Sequence, residues 1–585
     1  MQAQNVRHAW RVVAASTIAL FHWMPVHAQW SADPAINLVV SDIANGNTQP
    51  KIVPTPDGGF YVSWFDNIAA GFDIHLQRLD VAGNALWAHN GILVADRSYS
   101  FTYDYGLSAD SAGNAYVSFN CCENGAGDEH IAVSKVTPDG TLVWGDAGVT
   151  VSTAVEAIYN AYVAPTTDGN VVVAWSADSG VRAQKLDADG NALWIDGGVL
   201  LDQPAGLKLL GGVQPADTGN AIVSWSNQSG SAHILRAQKL ASLDGSALWG
   251  GGTSVRVFGA GNLQFGYYPP FLADGSGGGV FWDYDAVGVQ FVPRVQHIDA
   301  NGNLLLGVDG VVATNDTSDH TDTSATFDAA TGDIYVVWRD NFTNGGGQSF
   351  DGVSAQRVDS TGALQWGAAG KVLVPLTDST NGTHSISQPV ALPTPDGFLA
   401  SWVTGAIPAA SQPLTVTRLD TAGNAVWAAQ TVDIKTERYT SRAEGAVSTT
   451  GYAAYAWQDG DDGAGLSTIR AQNINLDGTL GGSAPAIYSV AIDVSGLLGS
   501  GLTLQLNGGS DLVIPGDGGY TFSTLLADGS NYAVTVFSNP SGPDQTCTVD
   551  NGSGTIDGAD VTDVTVTCVT NGPPDQIFTD GFDGP

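Results

Sequence analysis

Two acidic clusters are the first residues in this sequence whose types and spacing point to chemistry. Asp459, Asp461 and Asp462 stand together in QDGDDGAG, and Glu123, Asp128 and Glu129 share CCENGAGDEH with His130. Crowded carboxylates are hard oxygen ligands, so Asp459, Asp461 and Asp462 form a candidate calcium set, and no other cofactor is expected. Neither cluster completes a D-x-[DN]-x-[DN]-G-x5-E loop. His320 and His384 lack zinc spacing and read as exposed loop residues. G-x-S-x-G is missing, and Asp is so abundant that chance carboxylate pairs carry no signal, so no catalytic residue is assigned. Phe342, Phe350, Tyr267 and Tyr268 offer aromatic faces to a sugar or a protein.

The four cysteines suit an oxidising compartment. Cys547 and Cys568 sit in two strand-like segments, QTCTV and VTVTC, and are expected to form a disulfide. Cys121 and Cys122 are adjacent, and either close a vicinal ring or stay unpaired.

The elements that must position these groups come from a repeat. A strand ending in Trp is followed by a second strand, a D-x-x-G or D-G-N turn and a second Trp, as in GFYVSWFD and LQRLDVAGNALW (59–87). Copies recur at 113–144, 169–194, 219–249, 277–306, 332–366, 396–427 and 451–482. The fifth and eighth lack the second Trp. The first Trp strand alternates large and small apolar residues, the pattern of a strand covered on both faces. With the segment before it, each copy supplies four short antiparallel strands, and helical periodicity is absent. Four-stranded units repeated about eight times predict a β-propeller, eight-bladed with seven as the alternative count. Residues 30–41 read as a fourth strand without a preceding three, and the last copy lacks one. The N-terminal strand is therefore expected to close the ring.

The chain accordingly divides into a signal peptide (1–28, cleaved after Ala28), a propeller (29–485), a small β-sandwich (486–570) and a tail (571–585). The 585 residues include 58 acidic and 21 basic side chains, net −37, and 74 Gly. That field argues against nucleic acid and anionic lipid as partners. No later segment is apolar enough to span a bilayer, so a secreted or surface location is expected. The D-x-x-G-N turns are uniform, whereas loops on the opposite face are long and individual. That face, with Glu123, Asp128, His130, Asp319, His320, Phe342 and Phe350, is the expected ligand face.

Asp187, Gly190 and Trp194, and likewise Asp359, Gly362 and Trp366, give D-x-x-G-x-x-x-W. This resembles the docking phrase of pyrroloquinoline-quinone dehydrogenases, eight-bladed propellers of which some carry a vicinal disulfide. The phrase here is one residue short, and that family's calcium ligands and catalytic Asp match no position. Residues 486–570 resemble the immunoglobulin-like or prealbumin-like modules of exported bacterial proteins, which implies a spacing or attaching role. PPDQIFTDGFDGP resembles terminal sorting tags. These features lead to an expected exported, non-catalytic binding protein for a glycan or cell-surface protein. The alternatives are a propeller enzyme, quinone-dependent or glycan-cleaving, and a structural envelope component. Convergence of acidic residues on the propeller axis beside a pocket would favour an enzyme.

Overall fold

The computed structural model describes residues 29–571, apart from 45, 69–70, 98–101, 122–128, 153–156, 202–205, 230–231, 260–268, 289, 383, 406–410, 461–466, 483–486, 523, 528–529 and 557–558. It is all-β. Eight four-stranded antiparallel sheets succeed one another along the chain, and these are the propeller blades. The first strands of blades 1 to 8 are Asn47–Pro54, Gly106–Ala109, Ile158–Pro165, Leu207–Pro215, Phe271–Ala273, Asp319–Asp328, Ser385–Thr394 and Tyr439–Val447. They neighbour one another around the axis. Blade 8 is completed by Leu38–Ser41 at the N-terminus, which pairs antiparallel with Ser467–Ile474 and closes the ring as expected.

The second strand of each blade is buried on both faces, and Trp64, Trp175, Trp225, Trp338 and Trp457 are fully enclosed between blades. The second Trp of each copy works at the rim. Its indole N–H crosses to a turn carbonyl of the next blade: Trp87 to Pro138, Trp144 to Ala188, Trp194 to Ser242, Trp249 to Ala300, Trp366 to Thr421 and Trp427 to Leu476, at 2.9–3.2 Å. Each bond satisfies a buried donor while the ring covers apolar surface. Blade 8 has no such Trp of its own, and Trp30 from the N-terminal segment takes the place, bonding Val81 O at 3.2 Å. Blade 5 has Leu306 there, so the seam between blades 5 and 6 is the one without a staple among the described residues.

The turn glycines serve these staples. Gly302 has φ 86°, and a Cβ on it would lie 2.7 Å from the Trp249 ring. Glycine is needed there for the left-handed backbone and for the close approach. In the same turns the first Asp folds the hairpin, as Asp187 accepts the N–H groups of Asp189 (3.0 Å) and Asn191 (2.8 Å). The D-x-x-G-x-x-x-W phrase thus builds the rim: Asp and Gly form the hairpin, and Trp reaches the next blade.

Beyond the blades, Gly518–Thr521, Val490–Ser495, Val561–Thr570 and Gln545–Asp550 form one four-stranded sheet. Ser510–Ile514, Leu502–Leu506, Asn531–Ser538 and Ser553–Thr555 form the other. Leu502, Leu504, Val534, Ile492, Val564 and Val566 fill the space between them as one core. Cys547 and Cys568 are cross-strand partners joined by the expected disulfide.

Candidate functional site at the propeller axis

Most first strands carry a β-bulge near their starts, where the register shifts between Thr48 and Lys51, Ile158 and Ala161, Leu210 and Gly212, Thr321 and Ser324, Ser387 and Val390, and Ser441 and Glu444. A bulge turns side chains out of the regular alternation and recurs beside functional sites. At four of these bulges a non-glycine residue is left-handed: Gln49 (φ 52°), Asp322 (51°), Gln388 (54°) and Arg442 (52°). Each costs about 1 kcal/mol or more.

Register defines one equivalent position per blade just past the bulge, opposite the residue before the enclosed Trp. Lys51 faces Ser63, Tyr162 faces Ala174, Gly212 faces Ser224, and Glu444 faces Ala456. Gly106, Ser324 and Val390 hold the place in blades 2, 6 and 7. Lys51 and Glu444, in the adjoining first and eighth blades, line a chamber of about 780 Å³ together with Asp104, Tyr105 and Tyr162. Lys51, Asp104 and Glu444 also line a second chamber, of about 360 Å³, with Gln49, Gln388 and Arg442.

Asp104 is held from three sides. Lys51 Nζ lies 2.9 Å from Oδ1, the Tyr105 backbone N–H donates to Oδ1 at 3.0 Å, and the Tyr162 hydroxyl donates to Oδ2 at 2.6 Å. The Tyr105 hydroxyl donates to Gln49 O (3.0 Å) and lies 2.8 Å from Ser63 Oγ. Lys51 Nζ also stands 5.3 Å from the Tyr105 ring centroid and 5.8 Å from that of Tyr162, close enough for cation–π attraction.

The two carboxyl groups are driven apart. Enclosure by the channel would raise Asp104, but the Lys51 charge and the Tyr162 hydrogen bond outweigh it and hold Asp104 below its ordinary value. Glu444 is exposed to the channel water, and the channel walls near it partly desolvate its carboxyl. That desolvation raises it above its ordinary value, Lys51 opposes the rise, and the Asp104 charge adds to it. Lys51 loses by desolvation but gains more from Asp104 and Glu444, and is raised. Two carboxyl groups displaced in opposite directions and a cation therefore share one cavity, the kind of separation that acid–base cleavage uses.

The residues singled out in the sequence lie elsewhere. Asp459 is fully buried, with Arg470 Nε at 2.8 Å, Arg438 Nε at 2.9 Å and Lys435 Nζ at 3.7 Å. Three cations occupy its carboxylate, so it is an ion-pair centre and not a calcium ligand. Asp461 and Asp462 lie outside the described residues, as do Cys122, Glu123, Asp128, Tyr267 and Tyr268. Among the described residues no group of three or more His, Cys, Asp or Glu could hold a metal ion. Cys121 is buried and disulfide-bonded. His130 is its cross-strand partner, half-buried.

His320 is not an exposed loop residue. It is fully buried in the first strand of blade 6, with Nδ1 2.8 Å from Asp340 Oδ1 and Nε2 3.8 Å from Asp316. Neighbouring Asp319 accepts the Phe291 N–H at 3.1 Å. His384 is half-buried. The segment 339–351, expected as a loop, is mostly two paired strands joined by a tight turn. Phe342 and Phe350 face each other across them, ring centroids 6.0 Å apart, with Phe342 46% exposed.

No protein-family model matches the chain, and no curated protein matches it by sequence. Solved structures do match. One is the polysaccharide lyase Uly1, 10% identical, with TM-score 0.37, over 67% of this chain and 94% of that one. Another is an alpha-L-arabinanase of Penicillium chrysogenum complexed with arabinobiose, 12% identical, with TM-score 0.35, over 78% and 100%. A third is a fungal alcohol oxidase of the AA5 family in complex with copper, 10% identical, with TM-score 0.39, over 94% and 91%. These are likenesses of fold. The expectation of a non-catalytic binding protein is corrected by the axis itself: Asp104 and Glu444 converge there beside a cavity, the arrangement that favours the enzyme alternative.

Sequence reasoning missed Lys51, Asp104, Tyr162 and Glu444, because none belongs to a local motif. A signal existed in the repeat. Lys51, Tyr162, Gly212 and Glu444 each stand thirteen residues before the enclosed Trp of their copy, at Trp64, Trp175, Trp225 and Trp457. That position varies from Lys to Gly while the Trp does not.

Proposed function

We propose that this protein is a glycan-cleaving enzyme that works in its axial channel, with Glu444 as general acid and Asp104 as the carboxylate partner. The observation that carries this reading is the opposite displacement of the two carboxyl groups around Lys51 in one cavity. Glu444, shifted toward its protonated form, delivers its proton to the glycosidic oxygen as the carbon–oxygen bond breaks. Asp104, kept ionised, takes a proton from the water that adds to the sugar carbon. Lys51 and Tyr162 position Asp104. Gln49, Gln388 and Arg442 supply polar groups to the smaller chamber, where sugar hydroxyls would bind.

In the same reading the chain is exported, with cleavage after Ala28, and residues 486–570 form a separate module that spaces or attaches residues 29–485. One observation supports export: Cys121, Cys547 and Cys568 are disulfide-bonded, as in an oxidising compartment. The test is a panel of arabinan, xylan, uronic-acid polysaccharides and aryl glycosides, scored for new reducing ends and for unsaturated products. Turnover is expected on at least one, and Glu444→Gln lowers kcat by about 10²–10⁴-fold. Turnover by Glu444→Gln at the wild-type rate would overturn the proposal.

A further inference from the structure

Below the polar ring the channel wall becomes more apolar. One residue past the ring position the seven blades named above place Ile52, Leu107, Val163, Val213, Ala325, Ala391 and Gly445, and two residues further on Pro54, Ala109, Pro165, Pro215, Phe327, Pro393 and Val447. These two rows carry no charged or hydrogen-bonding side chain; Ile52, Val163, Val213, Ala325 and Ala391 are buried against neighbouring blades, and the row between holds Ser108, Gln214 and Thr326. An innermost strand presents an unpaired backbone edge to the axis, and proline removes the donor from such an edge. Four of the eight blades place a proline in the second row. In the same wall the Gln214 side chain donates to the Phe271 carbonyl at 3.1 Å and so covers an acceptor.

The larger chamber lies against these rows. Leu107, Val163, Val213, Phe271 and Leu272 line it, with Lys51, Asp104 and Glu444 at its polar end. Protein interiors are otherwise close-packed, and a cavity of about 780 Å³ falls in the range of ligand sites. Water against the apolar side chains of this wall finds few partners on that side, and an apolar group that displaces it there gains free energy.

We infer that the large chamber binds an apolar group attached to the glycan, an aglycone or acyl substituent, while the sugar ring lies across Lys51, Asp104 and Glu444 toward the smaller chamber. The inference rests on the proposed axial cleavage site and names the substrate class for it: glycoconjugates with a hydrophobic substituent next to the scissile bond, rather than bare polysaccharide. The sequence expectation of a ligand face made by the long loops assigns no such chamber.

The test uses the full mature protein and 1-anilinonaphthalene-8-sulfonate, a fluorescent apolar probe, displaced by octyl or 4-nitrophenyl glycosides or by the corresponding free sugars. The octyl and aryl glycosides are expected to displace the probe at concentrations at least tenfold below those of the free sugars. Leu107→Asn and Leu272→Asn, checked for native circular dichroism, weaken probe binding by a similar factor. Equal displacement by glycosides and free sugars, or probe binding unchanged in both folded wall variants, overturns the inference. The glycoside comparison needs no variant, so it decides even where a substitution prevents folding. Loss of the cleavage reading has a separate signature: Glu444→Gln leaves turnover unchanged while displacement by glycosides persists.

Discussion

The rim and the axis of this propeller are built by the same repeat under opposite constraints. At the rim, seven tryptophans make one and the same bond from blade to blade, and a glycine beneath each ring is fixed by shape. At the axis the equivalent positions hold Lys51, Gly106, Tyr162, Gly212, Ser324, Val390 and Glu444, which share neither size nor charge. Packing against the next blade dictates the first set. At the axis only some positions meet such a neighbour, as Gly106 does against Tyr162 and Val163, and the others are freer to carry chemistry; the strained Gln49, Gln388 and Arg442 gather there.

The comparison breaks most visibly at the rim. Trp249→Ala removes a buried indole and its bond to Ala300, and is expected to cost about 3–5 kcal/mol, read from the denaturant midpoint. A loss below about 1 kcal/mol would show that the staples do not hold the ring. Lys185 tests the layer between rim and axis. Its buried ammonium lies 2.5 Å from Asp168, 2.6 Å from Ser242 Oγ and 2.7 Å from Gly219 O, joining blades 3 and 4. Lys185→Met is expected to destabilise by about 2 kcal/mol, less than for a fully enclosed pair because Asp168 keeps some solvent.

At the axis the sign reverses. Gln49→Gly relieves a left-handed residue whose side-chain Oε1 is buried without a partner among the described residues. It is expected to raise stability by about 0.5–1 kcal/mol, and a destabilised variant would show that the bulge is not strained.

How much of this was readable follows from the same contrast. The eight copies, the closing N-terminal strand and the Cys547–Cys568 pair were legible because each depends on local pattern or on spacing within one segment. The eighth blade's missing Trp was legible only as a loss, since Trp30 replaces it from the far end of the chain. The site was not legible, because Lys51 and Glu444 are neighbours only once the ring closes, and because Asp104 gains its role from Tyr162 of the next blade. Loop length also misled at 339–351, where paired strands simply run beyond the blade. Abundant Asp hid the ion-paired role of Asp459, whose partners come from two segments, Lys435 and Arg438 from one and Arg470 from the other.

The most direct test of the axial site is the pH dependence of kcat/KM for the wild type, Glu444→Gln and Asp104→Asn on an aryl glycoside whose leaving group still gains from an acid but leaves well enough for the variants to keep measurable turnover. Glu444 must be protonated to act and is raised, so the wild-type alkaline limb is expected above 4.5, the ordinary glutamate value, and to vanish in Glu444→Gln. Asp104 must be ionised and is lowered, so the acid limb is expected below 3.8 and to vanish in Asp104→Asn. Profiles that keep both limbs in both variants would contradict the assignment of cleavage to the axis.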